Sequence, residues 1–297
     1  MIARLPPELA HIVVNFAFVP RPYRTHSLGS TVVSLAASHD ARNLAVIDHL
    51  LTVHHLQSNQ ISIVPSSNNS TACEWSRDGA LATAVRDPQY SQGGCVFVWT
   101  PHNPRVILRT KAPVLQLRWS PGGAALAMVT ESGYEVWAFS PTSQRWHRQA
   151  CAFVGATACD WDAEGRLSLV VDGELFVDGR RACDYRLGVL AWGRPGELAG
   201  VLFPIPETTI CARWSRDGRF LAIATGEGHF VVFTRRGQRI IDRDRVGATC
   251  VEWLGSTRVV VGYVDGDVYV WPIDRRAVPS NQKKRPRAIL AALSFAG

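Results

Sequence analysis

A unit of about forty residues, marked by a tryptophan, a tight turn and a glycine, recurs along this chain and restricts its fold more than any other feature. Its clearest copy is CARWSRDGRFLAIATGEGHFVVF, from Cys211 to Phe233. Cys211 to Trp214 is a short β-type run, and Ser215-Arg216-Asp217-Gly218 is a turn in which glycine supplies the positive φ. Phe220 to Thr225 runs apolar, Gly226-Glu227-Gly228 turns again, and Phe230 to Phe233 is a third strand. Such strands leave apolar faces that only further sheets can cover. The chain supplies them. ACEWSRDGALATAV begins at Ala72, LRWSPGGAALAMV at Leu117, CDWDAEGRLSLVV at Cys159 and CVEWLGSTRVVVGY at Cys250. A degenerate copy, VVSLAASHDARNLAVI from Val32, places Ala36 where the tryptophan should stand. The markers Ala36, Trp75, Trp119, Trp161, Trp214 and Trp253 are thus 39, 44, 42, 53 and 39 residues apart. The second half of each unit agrees, with VFVWT ending at Thr100, YEVWA at Ala138, FVVFT at Thr234 and VYVWP at Pro272.

Four short strands per unit at this period resemble the blades of WD40-type β-propellers. The implied fold is all-β, a single propeller. The six markers, joined by a further Trp192-turn-Gly196 motif in LAWGRPGELAGVLF, predict seven blades, with six as the alternative. The region 173–209 breaks the period, so that motif is either a shortened blade or the decorated edge of a neighbour. The propeller is expected over 29–275, after a capping segment at 1–28 and before a tail at 276–297. LPPEL at 5–9 resembles the opening of an F-box, but Pro20 and Pro22 end any helix there too early. The segment instead predicts a short capping helix from Pro6-Pro7, or a strand from Val13 to Val19 that closes the ring.

Composition fits one closed domain, with 46% hydrophobic and 19% charged residues in 297. No apolar run reaches the roughly 18 residues of a membrane span. The weak stretch Ile12 to Val19, with Glu8 and His11 beside it, lacks a cleavage site and is not read as a signal peptide. Four of the seven cysteines (Cys73, Cys159, Cys211, Cys250) stand two or three residues before a marker tryptophan, which predicts reduced core thiols. No cysteine or histidine spacing suggests a metal. Alternation puts His54 and His55 on opposite strand faces, as solvated rim residues. Asp78, Asp217 and Asp265 fall in turns, where they accept backbone bonds. Phosphate-binding loops, dinucleotide fingerprints and nucleophile elbows are missing from the sequence. The expectation is a protein that is not an enzyme, with no catalytic residues, cofactor, metal or small-molecule substrate. No aromatic interleaving of the base-stacking kind points to nucleic acid.

Binding candidates lie off the repeat. Trp146, in SQRWHR, is out of rhythm and is either an exposed anchor for a partner or the hydrophobic residue of an outer strand. The net charge of +7 is uneven: Arg235 and Arg236, with Arg239, Arg243 and Arg245, crowd one outer connection, offset by Asp242 and Asp244. Lys283, Lys284, Arg285 and Arg287 in SNQKKRPR form a nuclear-localisation element, an acidic-surface contact or a solvated tail. The following AILAALSFAG is too short to span a bilayer and long enough for a docking helix. The loop Arg86–Gly94 is where binding specificity is expected, and Pro101–Pro104 and Pro141–Arg148 are the outer connections of the next two blades.

The stretch VLQLRWSPGGAALAMVTESGYEVWAFSPTSQRW, followed by ACDWDAEGRLSLVVDGELFV, resembles the central blades of the Aladin family of WD-repeat nucleoporins. That family is similar in setting a second tryptophan about nine residues after a blade-ending x-V-W, here Trp137 and Trp146. It also has a stretched interval before its penultimate marker, here Trp161 to Trp214. The resemblance implies a structural, non-catalytic nucleoporin at the nuclear envelope, held by a transmembrane nucleoporin and supporting nucleocytoplasmic transport. The alternatives are a WD40 subunit of another complex, in RNA processing or ubiquitin ligation, in cytoplasm or nucleus, or a phosphoinositide-binding autophagy propeller. The last is suggested by FTRRG, in which Arg235 and Arg236 leaving opposite strand faces would hold two headgroups at a membrane.

Overall fold

The computed structural model describes residues 23–27, 30–48, 50–58, 60–64, 69–86, 93–100, 106–152, 155–183, 190–192, 208–243 and 247–273. After β1 (Tyr23–Ser27) come β2–β5 (Ser34–Ala37, Asn43–Ile47, Leu51–His55, Gln60–Ile63) and β6–β9 (Ser70–Trp75, Leu81–Arg86, Gly94–Trp99, Val106–Thr110). Next are β10–β13 (Val114–Trp119, Ala125–Thr130, Gly133–Ser140, Arg145–Ala152) and β14–β17 (Ala156–Trp161, Leu167–Val171, Glu174–Val177, Arg180–Cys183). The last are β18–β21 (Thr209–Trp214, Phe220–Thr225, Phe230–Thr234, Arg239–Arg243) and β22–β24 (Ala248–Leu254, Arg258–Tyr263, Asp267–Pro272). Each group of four is one antiparallel sheet, and β1 completes the sixth by pairing with β24. Every element among the described residues is a strand.

The first strands build an inner wall. β2 packs on β6, β6 on β10, β10 on β14, β18 on β22, and β22 back on β2. Between β14 and β18 stand Leu190 to Trp192, with Leu190 in the core of the fourth sheet and Ala191 in that of the fifth. Six complete four-stranded sheets are therefore described, the count given above as the alternative to seven. The motif at Trp192 fills a further place on the inner wall.

β1 lies within the segment expected at 1–28 to cap the propeller, and it pairs with the last sheet: Tyr23 stands opposite Val270 and Ser27 opposite Asp267. Joining the front of the chain to the last sheet satisfies an edge that would otherwise stay open. Val13 to Val19 and LPPEL lie outside the described residues.

Each sheet has neighbours on both faces, which explains why its middle strands are continuous apolar runs. All six residues of β19 (FLAIAT) are buried, as are the first five of β7. The outer strands face solvent: β5 is exposed throughout. Packing between sheets is close. Phe220 stacks on Trp253 with centroids 6.1 Å apart, and burial of one such ring contributes about 2–3 kcal/mol.

The turn after each marker explains the recurring serine or aspartate. The hydroxyls of Ser38, Ser76, Ser120 and Ser215 accept the N–H of Asn43, Ala80, Ala125 and Phe220 at 2.8–3.0 Å. Asp162 Oδ1 does the same for Arg166 N at 2.8 Å. Gly79 and Gly218 take φ of 89° and 64°, the left-handed region their turns require. Asp217 and Asp265 accept backbone N–H bonds from Arg219 and Asp267, as expected, whereas Asp78 accepts from the Ser76 hydroxyl. This register also moves the degenerate marker. Ala37 pairs with Leu44 just as Trp75 pairs with Leu81, so Ala37, not Ala36, holds the tryptophan place.

Candidate functional site

Three levels of the inner wall carry distinct chemistry. The first is structural. The indole N–H of Trp119 donates to Glu74 O at 3.1 Å, that of Trp161 to Arg118 O at 3.0 Å, and that of Trp253 to Arg213 O at 2.8 Å. Each acceptor is the carbonyl just before the preceding sheet's marker. Trp214 follows the rule with Ala191 O at 3.0 Å, which gives Trp192 the rank of a marker. The tryptophan recurs because one residue both fills the gap between sheets and ties them together.

The second level is a girdle of charge formed by the residue before each marker. In chain order these are Ala36, Glu74, Arg118, Asp160, Ala191, Arg213 and Glu252, so acids alternate with arginines wherever a charge is present. Arg118 Nη1 donates to Glu74 Oε2 at 3.0 Å and to Leu117 O at 2.7 Å, while its Nε lies 3.7 Å from Asp160 Oδ1. Arg213 Nε donates to Glu252 Oε2 at 3.2 Å. Asp160 also accepts the N–H groups of Trp161 and Trp192, at 2.9 and 2.8 Å. The side chain of Arg118 is 7% exposed and those of Glu74 and Asp160 24% and 19%. Burial pushes the Glu74 carboxyl up to about 7, against the pull of Arg118 and Arg213. Burial likewise raises Asp160, opposed mainly by Arg118. The girdle charges are spent on one another.

The third level is the rim where the inner strands begin, here called the mouth. In five sheets the inner strand carries a bulge between the fifth and third residues before its marker. The bulged position holds Thr71, Leu115, Thr157, Ile210 and Thr249, and Val33 stands at the same distance before Ala37. Turns joining second to third strands share this rim and carry exposed acids: Glu131, Asp172, Glu227 and Asp265. Among the described residues, Arg86, paired with Glu131, and Lys111 are exposed cations there. The opposite rim, the floor, is rich in exposed arginine, including Arg42, Arg77, Arg216, Arg219, Arg235 and Arg236.

The residues singled out from the sequence do not converge on one site. Trp146 lies on outer strand β13, half-buried, 5.7 Å from both Trp119 and Phe139 by ring centroids. Its ring packs against the marker of the same sheet. Arg235 and Arg236 are exposed in the β20–β21 turn rather than on opposite faces of a strand, because Thr234 N bonds Gln238 O and Gly237 N bonds Thr234 O. Lys283, Lys284, Arg285 and Arg287, like the side chains of Asp242 and Asp244, lie outside the described residues. His54 is a correction. It is buried at 7% exposure, with Nε2 3.3 Å from Thr52 Oγ1, since both faces of its sheet are covered. Cys73, Cys159 and Cys250 are buried free thiols and Cys211 is half-buried. Among the described residues no group of three metal-ligating side chains gathers, and no helix is long and apolar enough to cross a membrane.

No family model and no curated protein sequence matches this chain. Solved structures do. The β-propeller domain of Myceliophteria thermophila Cps50 (Swd1) superposes with a TM-score of 0.67 at 15% identity, covering 86% of this chain and 100% of that domain. A chain of the Mitotic Checkpoint Complex superposes with a TM-score of 0.64 at 12% identity, covering 86% of this chain and 92% of that one. With the inner wall and sheet order above, these likenesses give the chain a WD40-type β-propeller fold.

Proposed function

We propose that this propeller is a non-catalytic interaction platform within a multiprotein complex. The observation that carries the reading is the division of its charge. The girdle charges are paired with one another, while the two rims present exposed surfaces of unlike chemistry, acidic and apolar at the mouth and arginine-rich at the floor. Structural likeness to a chain of the Mitotic Checkpoint Complex supports the same class of role for the fold.

Among such complexes we favour the nuclear pore, with the protein a peripheral component at the nuclear envelope that contacts a transmembrane nucleoporin and supports nucleocytoplasmic transport. Support comes from the sequence resemblance to the Aladin family between Val114 and Phe176. Affinity purification of the tagged protein in mild detergent, with mass spectrometry, tests this. Stoichiometric nuclear-pore subunits support the assignment. A different stoichiometric complex keeps the platform and discards the pore, and no complex at all discards both. The exposed pair Arg235 and Arg236 favours a second reading, contact with anionic lipid. Liposome flotation tests it, and equal flotation of wild type and an Arg235→Ala/Arg236→Ala variant would refute it.

A further inference from the structure

Six equivalent positions are described around the mouth, five of them bulged, and in chain order they alternate in kind: Val33, Thr71, Leu115, Thr157, Ile210, Thr249. Two of the three threonines show one use of the position. Thr71 Oγ1 donates to Val114 O at 2.6 Å, and Thr249 Oγ1 to Val32 O at 2.6 Å. In both cases the acceptor is the carbonyl just before the equivalent position of the next sheet, so the hydroxyl is a strut between neighbours. Val33, Leu115 and Ile210 have no hydroxyl to offer, and they remain 49%, 53% and 50% exposed. Val264, in the turn beside Thr31, adds a fourth aliphatic side chain at 53% exposure. A bulge re-aims the residue it inserts. At Leu115 and Ile210 it leaves aliphatic side chains exposed, at a level where threonine forms a strut in other sheets.

The charge of the rim narrows the ligand. Among the described residues, Glu131, Asp172, Glu227 and Asp265 stand around these apolar positions, one from each of four sheets, against Arg86 and Lys111. On the floor, exposed arginines outnumber the exposed acids Asp40, Asp78, Glu164 and Asp178 among the described residues, so the balance there has the opposite sign. A cationic partner is therefore drawn to the mouth and turned away from the floor, and an anionic partner the reverse. We infer that the mouth binds a segment of a partner protein in which lysine or arginine flanks aliphatic side chains, the aliphatic groups seating on Val33, Leu115 and Ile210 and the cations meeting the acidic turns. This deepens the interaction-platform reading and rests on it.

The fold supplies its own control. Threonine already occupies the equivalent place in alternate sheets, so a Val33→Thr/Leu115→Thr/Ile210→Thr variant replaces these aliphatic side chains with a residue the position accommodates. Short random peptides displayed on phage are selected on the full-length protein near physiological salt, and the enriched sequences are measured by fluorescence anisotropy. The expected peptides combine Lys or Arg with Leu, Ile or Val, and lose affinity as salt rises. They bind the triple variant at least about tenfold more weakly, while its circular dichroism and Tm match wild type. Glu227→Gln weakens binding and flattens the salt dependence. Enrichment of acidic peptides, equal affinity for wild type and the folded triple variant, or no enrichment overturns the inference. If the triple variant proves unfolded, Glu227→Gln and Asp172→Asn decide alone: unchanged affinity and salt dependence in both overturns it. A stoichiometric complex that co-purifies equally with wild type and triple variant discards the mouth and keeps the platform, whereas failure to recover any complex discards the platform itself.

Discussion

Removing Arg118 is the severest test of the girdle. Its guanidinium is 7% exposed and stands between Glu74 and Asp160, at 3.0 and 3.7 Å. Arg118→Met keeps much of the side-chain volume and leaves two carboxylates facing each other in a poorly solvated throat. Breaking a buried ion pair in this way costs about 3–5 kcal/mol. At about 2–4 °C per kcal/mol for a domain somewhat smaller than this one, Tm at pH 8 falls by roughly 10 °C. The penalty depends on ionisation, which makes it distinguishable from a packing defect. Burial already holds the Glu74 carboxyl near 7, above its ordinary 4.5, and raises Asp160 as well. Without the arginine both rise further. A carboxyl whose folded value is raised contributes its full stability below the unfolded value and loses it as pH climbs through the folded one. At pH 5 the variant's Glu74 is therefore protonated, the two carboxyls no longer repel as a charged pair, and the deficit shrinks towards lost hydrogen bonds and packing, about 1–2 kcal/mol. Differential scanning fluorimetry at pH 5 and pH 8, at one scan rate, reads both quantities. A deficit equal at the two pH values, or larger at pH 5, would refute the argument.

Other consequences are simpler to read. A Cβ on Gly262 would sit 2.6 Å from Val32 Cγ1 and 2.9 Å from Cys250 Sγ, so Gly262→Ala should cost about 1–3 kcal/mol and lower Tm by several degrees. Burial pushes the thiols of Cys73 and Cys159 up to about 12 and raises Cys250, whereas Cys151 is exposed. Peptide mapping after brief alkylation at pH 8 should find Cys151 modified and those three only after denaturation. Deleting residues 1–28 removes the strand that pairs with β24, and size-exclusion chromatography should show aggregation in place of a monodisperse peak. Deleting residues 280–297, which lie outside the repeat, should leave Tm nearly unchanged and weaken partner association. A large fall in Tm would make that tail part of the fold.

The tryptophan rhythm was legible because each marker has a large aromatic ring, a turn and a glycine in fixed order. The blade without a tryptophan was misplaced by one residue, since Ala36 and Ala37 look alike until strand pairing chooses between them. His54 was misread because alternation separates core from solvent only in a sheet with one wet face, and this sheet has none. β1 has no repeat signal at all. YRTHS is a lone closing strand whose partner lies about 240 residues away. The girdle, in contrast, was present in plain sight as CEW, LRW, CDW, ARW and VEW. Only the pairing of neighbouring sheets shows that these alternating charges meet.

The inner strand assigns different freedom to each of its positions, and this bears on why propellers at 12–15% identity superpose so well. The marker, the serine or aspartate after it and the turn glycine are dictated by the gap between sheets, a pair of orphan N–H groups and a positive φ. The residue before the marker must only satisfy its neighbours, so charges of either sign serve if they alternate, and alanine serves where a place is left neutral. At the bulge the fold asks for a strut in some sheets and for nothing in the others. The fold therefore constrains the first group most and the last least. Exposed aliphatic residues at Val33, Leu115 and Ile210, where threonine suffices next door, mark the level at which this chain's sequence answers to something other than its own fold.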